Sequence, residues 1–407
     1  MKISTFALIF LLLLSLCGCS GNVPAETTAP ALPEVAQPLT WTTIKQIPVA
    51  NDTMTEDELR QICLDTMRLQ LTFGWTPGIE ISHHNGISEK TFSSGQVYGG
   101  IPFGGNSYGN IYHWMHYYDE QTGVLDLSDG TITISGISCN GVAATLTGWS
   151  RVVNSMRYTD TKDMTVKNGC LRVGPYTYDE GVTDYSQRDT FTICSDNGAS
   201  AMWESYAALK PADGIVTYSG YDQSSRVCMV TAVNVVRFEN GDIDGQSSTV
   251  TSMYQWPVCA AAEQTNGEVY EVQGMISNTA CFQQVYDDGY IPFTFAELNK
   301  QDPVEKAEAS LSASGGSVSV DALCKALLSS NYVLSDITVS VMDGQGKEVY
   351  RKDFPVTDEL MPSSVQLSNA VSPDALLSFA DGDHTVTVNT WVSTGERLIA
   401  YTGVLVK

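Results

Sequence analysis

The sequence predicts an α+β body followed by an all-β sandwich, and three observations carry that expectation. A capped, helically spaced apolar stripe opens the body near residue 55. Runs rich in Val, Thr and Tyr between about 190 and 256 read as strands. From about residue 306 onward, apolar and polar residues alternate through short segments separated by Gly turns. Hydrophobic residues make up 43% of the 407-residue chain and charged residues 17%, which suits packed cores and not a disordered polymer. The formal net charge is −24. A surface this acidic is repelled by phosphate backbones and by anionic lipid, so nucleic-acid binding is excluded as a partner class.

The first residues read as a targeting device. Lys2 is followed by an apolar run, Phe6 to Leu14, too short to span a bilayer stably. The run ends in Leu16-Cys17-Gly18-Cys19, which resembles a bacterial lipobox. That resemblance implies lipidation at Cys19 and a tether on the outer face of the cytoplasmic membrane. Residues 1–19 are then the leader and lipobox, and residues 20–45 a linker, with Pro24, Pro30, Pro33 and Pro38 spread among Ala, Thr and Glu. Eight further cysteines follow Cys19 with no C-x-x-C pair among them, which argues against a zinc ribbon or a thioredoxin motif. An extracytoplasmic setting permits disulfides, and spacing leaves their pairing open.

The body is expected over residues 46–303. Thr55-Glu56-Asp57-Glu58 is a capping box, and Leu59, Ile62, Cys63 and Met67 follow at helical spacing, so a helix covers about 55–70. Gly74 to about 135 reads as loops and short segments. A second helix is expected from Cys139 through Trp149. Strands are expected at Thr190–Cys194, Gly214–Tyr218, Val227–Arg237 and Ser248–Trp256, with a short helix at Ala201–Leu209. Asn299 to Pro303 breaks the pattern. Residues 304–407 then form an immunoglobulin-like sandwich: Ile337, Val339 and Val341 share one strand face, Asp343-Gly344-Gln345-Gly346 turns the chain, and His384, Val386 and Val388 share another face before the turn at Thr394-Gly395.

The chemistry-bearing stretch is Ser138-Cys139-Asn140-Gly141-Val142, a cysteine opening an amphipathic helix, where unpaired N–H groups favour a thiolate. With Gly100-Ile101-Pro102-Phe103-Gly104-Gly105 before it and Leu209-Lys210-Pro211-Ala212-Asp213-Gly214-Ile215-Val216 after it, the order of segments resembles the NlpC-type family of papain-like cell-wall cysteine peptidases over about residues 55–300. The resemblance implies a papain-like α+β module with Cys139 as nucleophile, attacking a peptide or amide carbonyl of peptidoglycan stem peptides without a cofactor. The pattern departs from the family at informative places. Arg226 occupies the slot of the catalytic histidine, and a guanidinium cannot serve as a general base. Phe103 replaces the loop tyrosine, and Ser138 the aspartate before the cysteine. Gln255 fits a third, orienting position on the next strand.

Other bases are scarce. Of the five histidines only His384 follows Cys139, and it sits in the sandwich. His113 and His116 are three residues apart and would share a helix face, which makes them alternative bases. His83 and His84 carry no pattern. No metal-ligand set is identified: Asn240 to Gly245 is superficially like a calcium loop, but Thr251 stands where the twelfth-position glutamate belongs, and a hairpin turn accounts for it. Three function classes therefore stand: a cysteine peptidase or amidase of the cell wall; a disabled peptidase fold that binds a cell-wall peptide or a protein partner; and an adhesion lipoprotein working through a protein partner of its C-terminal sandwich.

Overall fold

A computed structural model describes residues 36–407 apart from positions 106, 129, 131–132, 155, 157, 257–259, 264–268, 273, 314 and 358. The leader, the lipobox with Cys19 and most of the linker lie outside these residues. The linker expected to reach residue 45 ends earlier. Ala36–Pro38 forms a short strand parallel to Phe73–Pro77, and Leu39 is fully buried. Helix α1 (Trp41–Gln46) follows, capped by Thr40, and it buries Ile44. A few apolar side chains among the prolines are enough to bind this end of the linker into the core.

Helix α2 (Glu56–Thr72) starts where the capping box places it. The Thr55 hydroxyl accepts the Glu58 N–H, and the Glu58 carboxylate accepts the Thr55 N–H. Three acids in the first turn suit the helix dipole. Leu59, Ile62, Cys63, Met67 and Leu71 form the buried stripe. This stripe packs on helix α4 (Gly141–Trp149), reached through helix α3 (Ile111–Trp114). Trp149 ends α4 fully buried, donating its indole N–H to the Ala212 carbonyl at 2.6 Å and meeting Phe293 and Phe295 edge-on.

One layer of the body is a seven-stranded mixed sheet that includes Phe73–Pro77. The other is a six-stranded, wholly antiparallel sheet made of β1 (Leu171–Arg172), β2 (Gly214–Tyr218), β3 (Ser225–Asn234), β4 (Thr249–Tyr254), β5 (Met275–Cys281) and β6 (Ile291–Thr294). Its order is β5-β4-β3-β2-β6-β1. The strand expected at Thr190–Cys194 is instead the start of helix α5 (Thr190–Ala207). The β-branched and aromatic run suggests a strand, but the Asp189 carboxylate accepts the Thr192 N–H at 2.7 Å and caps a helix. At Gly198 the chain takes φ +74°, so two helical pieces meet there at a kink; the helix expected at Ala201–Leu209 is the second piece.

The C-terminal part is mostly β. A three-stranded sheet, β7 (Ala309–Leu311), β9 (Leu327–Ser330) and β12 (Ser364–Gln366), shares a core with a five-stranded sheet of β8 (Ser317–Ser319), β10 (Leu334–Met342), β11 (Glu348–Pro355), β13 (Asp381–Val392) and β14 (Arg397–Val406). The expected strand faces hold: Ile337, Val339, Val341, Val386 and Val388 are all fully buried, and both Gly turns close hairpins. His384 lies half-buried against Phe379. This second core begins at Ala307, while the first runs through Val304 and also takes in Val333 and Met361 from the C-terminal part.

The two cores are joined by directed contacts. Trp391 stacks on Trp41 at 4.5 Å, and the Ser393 hydroxyl donates to the Ser150 carbonyl at 2.6 Å. Gly395 turns at φ +88° against the Arg151 guanidinium, where a Cβ would come within 2.6 Å of it.

Candidate functional site

The loop Ile101–Gly109 wraps the residues that lead into α4. The Cys139 N–H donates to the Pro102 carbonyl at 3.0 Å, and the Cys139 carbonyl accepts the Gly104 N–H at 2.9 Å. The Asn140 N–H donates to the Ser107 carbonyl at 2.8 Å, and the Gly109 N–H to that of Ser138 at 2.8 Å. His83 braces the same loop from behind by donating to the Phe103 carbonyl at 2.7 Å.

This bracing decides where the cysteine goes. The helix expected to begin at Cys139 begins at Gly141, because Asn140 is the N-cap: its side-chain oxygen accepts the Ala143 N–H at 2.8 Å. Cys139 therefore lies one residue outside the cap. Its side chain is fully buried in the first core, and burial pushes the thiol well above its ordinary value with no neighbouring cation to oppose it. A thiol held neutral in apolar surroundings is not an activated nucleophile.

The cavity beside it is lined by Cys139's neighbours and not by Cys139. It has a volume of about 290 Å³, and Asn140, Gly141, Arg226, Gln255, Trp256 and Thr161 contribute to its wall. Helix α4 presents its first turn here. The N–H groups of Gly141 and Val142, at the first two helical positions, have no carbonyl to reach within the helix. Gly141 is needed for close approach, since a Cβ would come within 2.6 Å of the Gln255 carbonyl oxygen.

Arg226 lines this cavity from β3, and Gln255 lines it from just past the end of the neighbouring β4. On β3, Met229 packs against Gly148 of α4, so by strand alternation Val227 and Met229 face the helix, and Arg226 and Cys228 face the other way. Arg226 is half-buried, and its guanidinium carbon lies 4.3 Å from the Trp256 ring centroid and 5.4 Å from that of Tyr254. Among the described residues, no carboxylate lies within ion-pair distance of it. Asp288 is near enough for the two charges to interact. Burial raises the Asp288 carboxyl and Arg226 offsets part of that rise. Gln255 is 1% exposed; its amide N–H donates to the Ile101 carbonyl, while its Oε1 has no hydrogen-bond partner among the described residues. Thr161 is fully buried, and its hydroxyl oxygen likewise has no partner among the described residues. Asp160 sits exposed at the rim.

Of the residues singled out from sequence, Arg226 and Gln255 meet at one cavity with the start of α4. His113 and His116 do not belong to it. The His113 Nε2–H donates to the Ser335 carbonyl and its Nδ1 accepts the Asn110 N–H, so both ring nitrogens are committed. Burial, only partly opposed by the Ser335 hydrogen bond, pushes His113 down to about 3. His116 forms an ion pair with Asp336. Both rings fasten the body to β10 and neither is placed to act as a base at Cys139.

Sequence reasoning missed Asn140, Thr161 and Trp256. The Asn140 signal was available, because an Asn before Gly-Val-Ala at a helix start is an N-cap pattern. Thr161 carries no local signal, since it is brought to the cavity by a single 3-10 turn, Thr161–Asp163. Asn240 to Asp244 form the hairpin turn expected there, with a bridge between Arg237 and Ile243. Among the described residues no group of acidic, His or Cys side chains is arranged to hold a metal ion, and no helix is long and apolar enough to cross a membrane. Comparison of the chain with protein-family models, with curated proteins and with solved structures finds no match.

Proposed function

We propose that the chain is a lipid-anchored, extracytoplasmic binding protein on a disabled papain-like peptidase layout, holding an acidic cell-wall peptide without cutting it. The observation that carries this reading is the composition of the cavity. The half-buried cation Arg226 and the open end of α4 line it, while the thiol of Cys139 is buried outside it and kept neutral. The papain-like reading draws support from the order of parts: a cysteine before a buried helix, then an antiparallel sheet with Arg226 on β3 and Gln255 just past the end of the neighbouring β4. An immunoglobulin-like reading of the C-terminal part is supported by its two sheets around one core. The lipobox pattern at Cys19 supports the anchor, and peptidoglycan is the acidic polymer that lies next to such an anchor.

Co-sedimentation of the full chain with purified peptidoglycan tests this reading. A charge-assisted hydrogen bond is worth roughly 1.5–3 kcal/mol, so Arg226→Gln should weaken retention about tenfold to a hundredfold. Arg226→Lys, which keeps the charge, should weaken it less. Undiminished retention of Arg226→Gln would move wall contact away from this cavity and towards the sandwich.

A further inference from the structure

Resting on that binding reading, we infer that the C-terminal part supplies one wall of the cavity, so that capture of a ligand in the body depends on how the sandwich is docked. The wall residue is Leu360. It follows β11 in the chain, yet it lines the cavity together with Phe103, Val142 and Trp256 of the body. Leu360 is half-buried against the first core, and its neighbour Met361 goes deeper, 6% exposed within that core. Met361 also holds φ +50°. A left-handed backbone is costly for a bulky side chain and persists only where the surroundings enforce it. The insertion of this segment into the body is therefore held in place by its packing.

Two backbone hydrogen bonds fix the segment to the start of β10. The Val356 N–H donates to the Ser335 carbonyl at 3.1 Å, and the Leu334 N–H donates to the Pro362 carbonyl at 2.7 Å. The same Ser335 carbonyl accepts the His113 Nε2–H, and the next residue, Asp336, pairs with His116. One short stretch, residues 334–336, thus carries the joint to the body and the support of the cavity wall. A shift of this stretch relative to the body moves Leu360 with it, because close-packed interiors leave little room to absorb such a shift. His113 and His116 are not among the residues that line the cavity. They act on it through β10 and are positioning residues. A ligand that touches Leu360 and the body together binds the docked arrangement better than a loosened one. By linkage it strengthens docking by the same factor by which docking strengthens binding.

Retention of the full chain on purified peptidoglycan in mildly acidic buffer tests this, each variant being compared under conditions where its urea unfolding curve shows it folded. Leu360→Ala should weaken retention about tenfold, and the similarly sized Leu360→Met should restore most of it. His116→Gln, made at the joint, should weaken retention at least about fivefold although it removes nothing from the cavity. Ile399→Ser, at a site 68% exposed on β14, should leave retention unchanged. If Leu360→Ala and His116→Gln both sediment like the wild type while Arg226→Gln does not, the inference falls and the binding reading stands. Loss with only one of the two would break the link between wall and joint and overturn the inference as well. A loss with Ile399→Ser as large as that with His116→Gln would place wall contact on the sandwich itself and likewise overturn it. Full retention of both Arg226→Gln and Leu360→Ala would overturn the inference together with the binding reading.

Discussion

Replacing Arg60 by alanine should lower the stability of the folded chain by about 3–5 kcal/mol, because it leaves a buried carboxylate without its cation. Arg60 is 3% exposed on α2. Its guanidinium holds four groups at once: Asp213 and the Pro211 carbonyl at 2.8 Å, Asn299 at 2.7 Å and Glu56 at 2.8 Å. These partners come from the first helix turn, from the approach to β2 and from the end of the body, so one side chain ties together segments up to 239 residues apart. Asp213 is 2% exposed and already accepts the Lys210 N–H. Urea unfolding should show a lower midpoint at an unchanged slope. Asp213→Ala should cost a similar amount, and the double variant much less than the sum, since the two charges share one interaction. A loss below about 1 kcal/mol for Arg60→Ala would mean that the network is dispensable.

The second large effect is a pH-dependent bond between the two cores. His116 pairs with Asp336, which is fully buried on β10. Burial alone would depress the His116 pKa, but the hydrogen bond to Asp336 and the charges of Asp336 and Asp353 outweigh it, so the net shift is upward from 6.5. A histidine raised in the folded state binds its proton more tightly than in the unfolded chain. The stability it contributes is therefore fully present below 6.5 and is lost as pH rises through the raised folded-state value. His113, held at about 3, stays neutral throughout that window and adds no pH dependence of its own there. Wild type and His116→Gln should differ most in unfolding free energy at mildly acidic pH, with wild type the more stable, and converge as the solution becomes alkaline. A gap that widens with rising pH would contradict the pairing.

Local chemistry was readable where one stretch of chain contains all of its causes. The Thr55–Glu58 box and the apolar stripe of α2 are such a case, as are the alternating strands and Gly turns of the C-terminal part. It misled where a cap competes with propensity: Asp189 turns the strand-like Thr190–Cys194 into a helix, and Asn140 moves the start of α4 past Cys139. The histidine pair shows the other limit. Its spacing suggests a shared helix face, but its partners, Ser335 and Asp336, lie more than 200 residues away on β10. The cavity was half legible. Arg226 and Gln255 were found by their order along the chain, whereas Thr161 arrives from a turn with no signature.

The claim at the centre of this account is that the cavity binds and does not cut. Purified peptidoglycan incubated with the full chain and with Cys139→Ala, followed by mass spectrometry of the soluble products, tests it most directly. The account predicts no released fragments from either protein and equal sedimentation of both with the wall. New fragments from the wild type that are missing with Cys139→Ala would show that the buried thiol is reached and activated, and would contradict it.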